Sequence, residues 1–117
     1  MIVVATSGMN HCHYCVVSHG AILRIRSKNT TISDQVAVNY HQAEITPRER
    51  AILDYAMKVS RYSSEVSQAD RDQARAAGLS DEDIWDIGSI SAFFAMSNRL
   101  ASATEMRPNN EFYSMAR

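Results

Sequence analysis

The chain has 117 residues, of which 45% are hydrophobic and 21% charged, so its length and composition are those of one ordinary globular domain. Twelve basic and thirteen acidic residues leave a formal net charge of −1, which provides no net field to attract nucleic acid or an anionic membrane, and we expect neither partner. No apolar run approaches the roughly 20 residues that cross a bilayer, and the N-terminus lacks the pattern of a secretory signal. The predicted location is therefore the cytoplasm.

The first third of the chain predicts two helices after an ambiguous start. The apolar segment 1–9 is compatible with a short buried strand or with the end of a buried helix. A helix is predicted from Asn10 to about Arg26, because its apolar residues follow a helical rhythm and its last turn is basic. Ser33 is predicted to cap a short helix that ends near Gln42.

Three further helices have clear start signals, and we predict them over 46–60, 67–77 and 80–104. The first begins with the capping residue Thr46 followed by Pro47 at the first helical position. The last is the longest, and both of its faces carry apolar residues, so we expect it to be buried on most sides.

No internal repeat, linker or convincing strand follows the first helix. The predicted fold class is therefore all-α, with five or six helices in a single domain over 1–117. We expect the tail, 109–117, to be loose or docked on another subunit. Its aromatic and methionine residues, with Met57 and Met96, are candidates for surfaces of a homo-oligomer.

Chemistry is concentrated at the only two cysteines, Cys12 and Cys15. On a helix this spacing turns both to one side, with His19 one turn further along. A helix N-terminus and a neighbouring imidazole both favour a thiolate, so we expect a lowered thiol pKa. A thiolate can attack a peroxide to give a sulfenic acid, which the second thiol converts to a disulfide. Such a cycle needs an external thiol reductant and no metal or organic cofactor.

Three alternatives for this motif stay open. Zinc could be held by both cysteines and His19, with a fourth ligand from His11, His13 or His41, although no second Cys pair is present. Two buried, inert thiols beside a core histidine would give the same pattern. A thioredoxin-type domain would place a strand before the CxxC helix, but its other strands and a suitably placed later proline are missing.

The string NHCHYCVVSHGAILR at 10–24 resembles the Cys-x-x-Cys-x-x-x-His signature of AhpD-like alkylhydroperoxidases, which belong to the carboxymuconolactone decarboxylase superfamily. It is most similar to their peroxidase-related subgroup. The segment that opens with LSDEDIWDI at 79–87 and reaches Asn98 and Arg99 is similar to that subgroup's long C-terminal helix. The resemblance implies an all-α fold, homo-oligomeric assembly and thiol-dependent reduction of hydroperoxides.

The same resemblance implies roles for three residues. Cys15 would be the peroxide-attacking cysteine, Cys12 its resolving partner, and His19 the base of a proton relay. In this family a Glu upstream of the first cysteine orients the histidine, and the corresponding position lies just before Met1. We therefore expect that the N-terminal part is trimmed, that another carboxylate substitutes, or that catalysis is weak. Tyr14 stands where the best-known members have a histidine.

Two other functions follow from these departures. A catalytically impaired oligomeric domain of the same fold, with a binding or structural role, is the alternative prediction, because the relay's acid is missing. A carboxymuconolactone-type decarboxylase is a weaker alternative, since lactone chemistry has no evident use for paired thiols.

Overall fold

The computed structural model describes residues 1–117 and contains seven α-helices and no strand, so the all-α prediction is confirmed. In chain order the helices are α1 (Ile2–Met9), α2 (His13–Ser27), α3 (Ile32–Asn39), α4 (Pro47–Tyr62), α5 (Gln68–Ala76), α6 (Asp81–Ala103) and α7 (Glu111–Ser114). Short 3-10 turns follow α3 and α4, at Tyr40–Gln42 and Ser63–Glu65. None of the helices has the length and apolarity that crossing a membrane requires.

The innermost helix is α1, which packs against α2, α3, α4 and α6. Its residues 4–7 are almost completely buried. The polar member Thr6 is satisfied locally, because its hydroxyl donates to the Ile2 carbonyl at 2.9 Å. The ambiguous segment 1–9 is therefore a helix. A strand here would leave its backbone groups without partners inside an all-helical protein.

The start signals of the later helices work as predicted. Thr46, Ser67 and Ser80 each cap a helix in a reciprocal capping box, and Pro47 occupies the first turn of α4. Gly78 ends the α5 region with a φ of 85°, in the left-handed region that glycine tolerates. These boundaries depend on local hydrogen bonding, which a sequence pattern records directly.

Two predicted helix starts are wrong. α2 begins at His13 and not near Asn10, because the chain reverses after α1 and brings Cys12 in at an extended backbone angle as the N-cap. α3 begins at Ile32, one residue after Thr31. Ser33 lies inside that helix, where its buried hydroxyl accepts a hydrogen bond from Arg24 at 2.9 Å and is therefore not a cap.

The tail was expected to be loose or docked on another subunit, but it docks on its own chain. The buried guanidinium of Arg24 donates from Nη2 to the Phe112 carbonyl at 2.8 Å and from Nε to the Met115 carbonyl at 2.9 Å. A bidentate ion pair between Arg117 and Asp34, at 2.7 and 2.9 Å, joins the last residue of the tail to α3. The tail is thereby fixed across α2.

The long helix α6 is less buried than its sequence predicts. One face carries Ile84, Ile87 and Ser91 into the core. On the opposite face Trp85 is 76% exposed and Met96 52% exposed, so this side has no cover within the single chain.

Close packing of α1 against α3 gives the first testable prediction. A Cβ atom at Gly8 would collide with the backbone carbonyl of Ala37, which cannot rotate away. We expect Gly8→Ala to lower the free energy of unfolding by about 2 kcal/mol or more through overpacking. The matched control is Gly88→Ala in α6, where a Cβ meets open space and should raise stability by about 0.5–1 kcal/mol. Urea unfolding measures both, and equal tolerance of the two changes would contradict the packing.

Candidate functional site

The turn between α1 and α2 positions the cysteines. The Cys12 N–H donates to the Ser7 carbonyl at 2.9 Å, and the His11 N–H donates to the Gly8 carbonyl at 3.0 Å. His11 adopts a φ of 54°, the left-handed conformation in which a helix commonly ends. The result is a short, hydrogen-bonded reversal that delivers Cys12 to the start of α2.

The structure brings the two cysteines together, as predicted. Cys12 caps α2, and its Sγ accepts a hydrogen bond from the Cys15 N–H at 3.4 Å. Both are free thiols and each is 1% exposed. They pack with Tyr14 against Ala101 of α6. The pair is therefore a buried dithiol at the interface of α2 and α6.

The predicted lowering of the thiol pKa is wrong for Cys15. Burial, which disfavours the charged thiolate, raises the pKa of Cys15, and a hydrogen bond with Cys12 raises it further. Hydrogen bonds from Asn98 and Ser97 act in the opposite direction but are outweighed. The N–H of Cys15, at the start of the helix, donates to the sulfur of Cys12 and not to that of Cys15.

His19 lies one turn beyond Cys15 on α2, as predicted, and is half-buried. Its ring packs edge-on against Phe94 of α6, with centroids 5.0 Å apart. Burial lowers the pKa of His19, and the positive charge of the N-terminal amine lowers it further. The imidazole is therefore neutral at pH 7 and able to accept a proton.

A buried amide network that the sequence analysis missed lies beside Cys15. Asn98 of α6 is 1% exposed. Its Nδ2 donates to the Ser7 hydroxyl at 2.9 Å, and its Oδ1 accepts from Asn10 at 3.0 Å. Asn98 thus ties α6 to the end of α1, through Ser7 and the C-cap Asn10, just before the turn that carries Cys12. The signal in the sequence was a lone polar amide on the core face of α6, four residues after Phe94.

The remaining histidines lie in two regions, since His11 and His13 flank Cys12 in the chain and His41 follows α3. His13 Nε2 is 2.7 Å from the hydroxyl of Tyr113 in the tail. His41 lies elsewhere, stacked on Tyr40 and 4.0 Å from Asp54. No group of three or more His, Cys, Asp or Glu side chains is arranged to hold a metal ion. The fourth zinc ligand considered at His41 is therefore not brought to the cysteines.

A cavity of about 330 Å³ adjoins the dithiol on the side of Cys12. Its wall is formed by the turn before α2 and by the segment that follows α6. The lining residues are His11, Cys12, His13, Tyr14, Ala101, Ser102, Glu105, Met106 and Arg107. Cys15 does not line this cavity, so the two sulfurs have different access.

The fold and the site define a class, namely all-helical proteins with a buried CxxC dithiol and a neutral histidine. Comparison with solved structures identifies the family within that class. The chain matches over 99% of its length the alkylhydroperoxidase AhpD core of an uncharacterized peroxidase-related protein from Ralstonia eutropha, with 58% identity and a TM-score of 0.98. It matches an uncharacterized peroxidase-related protein from Silicibacter equally fully, with 43% identity and a TM-score of 0.97. No protein-family model and no curated protein sequence matches.

The chain belongs to the AhpD-like, peroxidase-related family. It spans 61% of the length of each of these two relatives.

The amide network generates the second prediction. Asn98→Leu keeps the volume of the side chain but leaves Ser7 and Asn10 without their partner, so the free energy of unfolding should fall by about 1–3 kcal/mol. Because a hydrogen bond that lowers the pKa of Cys15 is also lost, its thiolate should form only at still higher pH. The pH profile of Cys15 alkylation, followed by peptide mass spectrometry, measures this shift.

The control for this prediction is Asp86→Ala, at an exposed position of the same helix. It should leave the alkylation profile unchanged. An unaltered profile in Asn98→Leu would show that the amide has no influence on the thiol.

Proposed function

We propose that this chain is a thiol-dependent, peroxidase-like oxidoreductase that reduces a hydroperoxide through Cys12 and Cys15, with His19 as base. The supporting observation is the shared first turn of α2, which holds two free thiols in contact and a neutral imidazole one turn away. The description of both relatives as peroxidase-related agrees with it. The domain proposed to do this is the whole of 1–117, since its major helices surround α1.

The proposed reaction begins at Cys15. His19 accepts the thiol proton as the sulfur attacks one peroxide oxygen, the O–O bond breaks, and the leaving alcohol takes the proton from the imidazolium. Cys15 is then a sulfenic acid. The Cys12 thiol attacks it, releases water and forms the Cys12–Cys15 disulfide. Two equivalents of an external thiol restore the dithiol, as expected in a reducing compartment such as the cytoplasm.

The pKa of Cys15 is raised and the pKa of His19 is lowered, so the proposed reaction depends on His19 as the base. A raised pKa keeps Cys15 protonated at neutral pH, so its thiolate is scarce until the pH rises. A lowered pKa keeps His19 deprotonated over the same range. Proton transfer from sulfur to imidazole during the attack would therefore supply the nucleophile where free thiolate is not available.

The third prediction concerns turnover of cumene hydroperoxide with dithiothreitol as reductant. Cys15→Ser should abolish consumption, and Cys12→Ser should slow it, because dithiothreitol must then reduce the sulfenic acid of the buried Cys15 directly. His19→Gln should slow it by about 10²-fold at neutral pH, the usual contribution of a general base. That defect should shrink as the pH rises, because Cys15 then ionises without help.

The matched control is His41→Gln, whose side chain is exposed and distant from the dithiol. It should turn over at the wild-type rate. If the unaltered chain consumes no peroxide, the proposal is wrong, and the alternative of an impaired domain with a binding or structural role gains support.

We also propose that the chain forms a homo-oligomer through α6. Four large apolar side chains are more than half exposed along one face of that helix, namely Trp85, Phe93, Met96 and Leu100. An exposed apolar stripe of this kind marks a contact surface. Its length along a regular helix suits a second helix packed against it.

The fourth prediction tests that surface by light scattering. The wild-type chain should have a mass that is a multiple of the 13.1 kDa protomer. Met96→Glu combined with Leu100→Glu should give the protomer, because burying two carboxylates is costly. Val38→Glu, at an isolated exposed position on α3, should change nothing. A wild-type mass of 13.1 kDa would contradict the assembly.

A further inference from the structure

The cavity lined by Cys12 offers a second reactant a route to the dithiol. Cys12 is 1% exposed, so its sulfur is shielded from bulk solvent, and the cavity of about 330 Å³ is the space that adjoins it. This volume lies at the lower end of small-molecule sites. The wall is largely polar, since His11, His13, Ser102, Glu105 and Arg107 all contribute to it.

We propose that this cavity binds the reducing thiol, and that this thiol is a small amino-acid-type molecule with both a carboxylate and an ammonium group. The inference rests on the proposed function, because it assigns the partner that regenerates the dithiol. It specifies where the reducing thiol binds, which chemical class that thiol belongs to, and which sulfur of the disulfide it attacks.

The first argument is the state of two charged side chains. Arg107 and Glu105 are both exposed, and their side chains form no hydrogen bond or ion pair with another residue. Arg117, by contrast, is paired with Asp34, and Arg75 with Asp81. A guanidinium and a carboxylate that line one small cavity without pairing complement the two charges of a zwitterion.

The second argument is backbone strain at the same place. Only four non-glycine residues have positive φ, and two of them, His11 at 54° and Glu105 at 52°, line this cavity. Each lies two residues beyond the end of a helix, where glycine would be free of strain. Glu105 is held by its N–H to the Ser102 carbonyl at 3.2 Å. Strained positions that retain functional side chains are characteristic of binding sites.

The third argument is that only one of the two cysteines lines the cavity. Cys12 lines the cavity and Cys15 does not. A thiolate from the cavity therefore attacks Cys12 Sγ of the oxidised pair, forming a mixed disulfide while the Cys12–Cys15 bond breaks and Cys15 leaves as thiolate, which takes up a proton. A second thiol then attacks the sulfur of the bound thiol. Its oxidised product leaves as a symmetrical disulfide, and Cys12 is again a thiol.

The same mixed disulfide forms when the reduced thiol of Cys12 attacks a small symmetrical disulfide. This reaction allows the site to be tested without peroxide. The Cys15→Ser variant keeps Cys12 and is treated with four symmetrical disulfides: zwitterionic cystine, cationic cystamine, anionic dithiodiglycolate and neutral hydroxyethyl disulfide. Mass spectrometry measures the rate of adduct formation. Cystine should react about two- to fivefold faster than cystamine and than dithiodiglycolate, each of which carries only one kind of charge, because of one additional partly exposed ion pair. The Cys12→Ser variant, which retains only Cys15, should react more slowly and should show no preference for cystine.

Two further variants assign the charges, each in the Cys15→Ser background. Arg107→Gln should remove the advantage of cystine over cystamine, and Glu105→Gln the advantage of cystine over dithiodiglycolate. Arg26→Gln and Glu82→Gln, at exposed positions away from the cavity, should keep both. Glu105→Gly should raise Tm by relieving the positive φ and still lose the preference, which separates recognition from folding.

The outcomes distinguish this site from the peroxidase proposal. If cystine has no advantage, or if its advantage persists in both Gln variants, the docking site is wrong even if peroxide is consumed. If the charge preference holds while the unaltered chain consumes no peroxide, the cavity still recognises an amino-acid thiol and the peroxidase step alone fails.

Discussion

The burial of α1 is the constraint on which the rest of this structure depends. This short helix packs against four others, and at Gly8 it comes so close to α3 that no side chain fits. Its C-terminal carbonyls then bind the amides of His11 and Cys12, which fixes the reversal into α2. The dithiol is therefore positioned by the core, through the backbone of α1, and not by a flexible loop.

The same burial sets the chemistry of the site. Removal from water raises the pKa of Cys15 and lowers that of His19, so at neutral pH Cys15 is a protonated thiol and His19, one helical turn along α2, is a neutral imidazole. In this state neither side chain carries a charge in the apolar interior. The helix N-terminus, which sequence reasoning expects to stabilise a thiolate, instead supplies its amide to Cys12. A buried dithiol of this kind is slow to react with the bulk solution and depends on defined routes of access.

Local signals allowed much of the fold to be predicted, and long-range contacts account for the rest. The boxes at Thr46, Ser67 and Ser80 need only neighbouring residues, and all three helix starts are confirmed. The docking of the tail on Arg24 and the network of Asn98 join segments distant in sequence, so no periodicity reveals them. The start of α2 is local but follows a reversal at positive φ on His11, which the helical rhythm of the apolar residues does not indicate. The spacing of the cysteines predicted their convergence, but their degree of burial, and hence the direction of the pKa shift, depends on α6.

The most direct test of this account is the product of one equivalent of hydroperoxide on the reduced chain, identified by non-reducing peptide mapping. The account predicts that the peptides of Cys12 and Cys15 lose two hydrogens together and form an intramolecular disulfide in proportion to the peroxide added. Accumulation of a sulfinic acid on either cysteine, with the other remaining a free thiol, would contradict the central claim that the two sulfurs act as one redox pair.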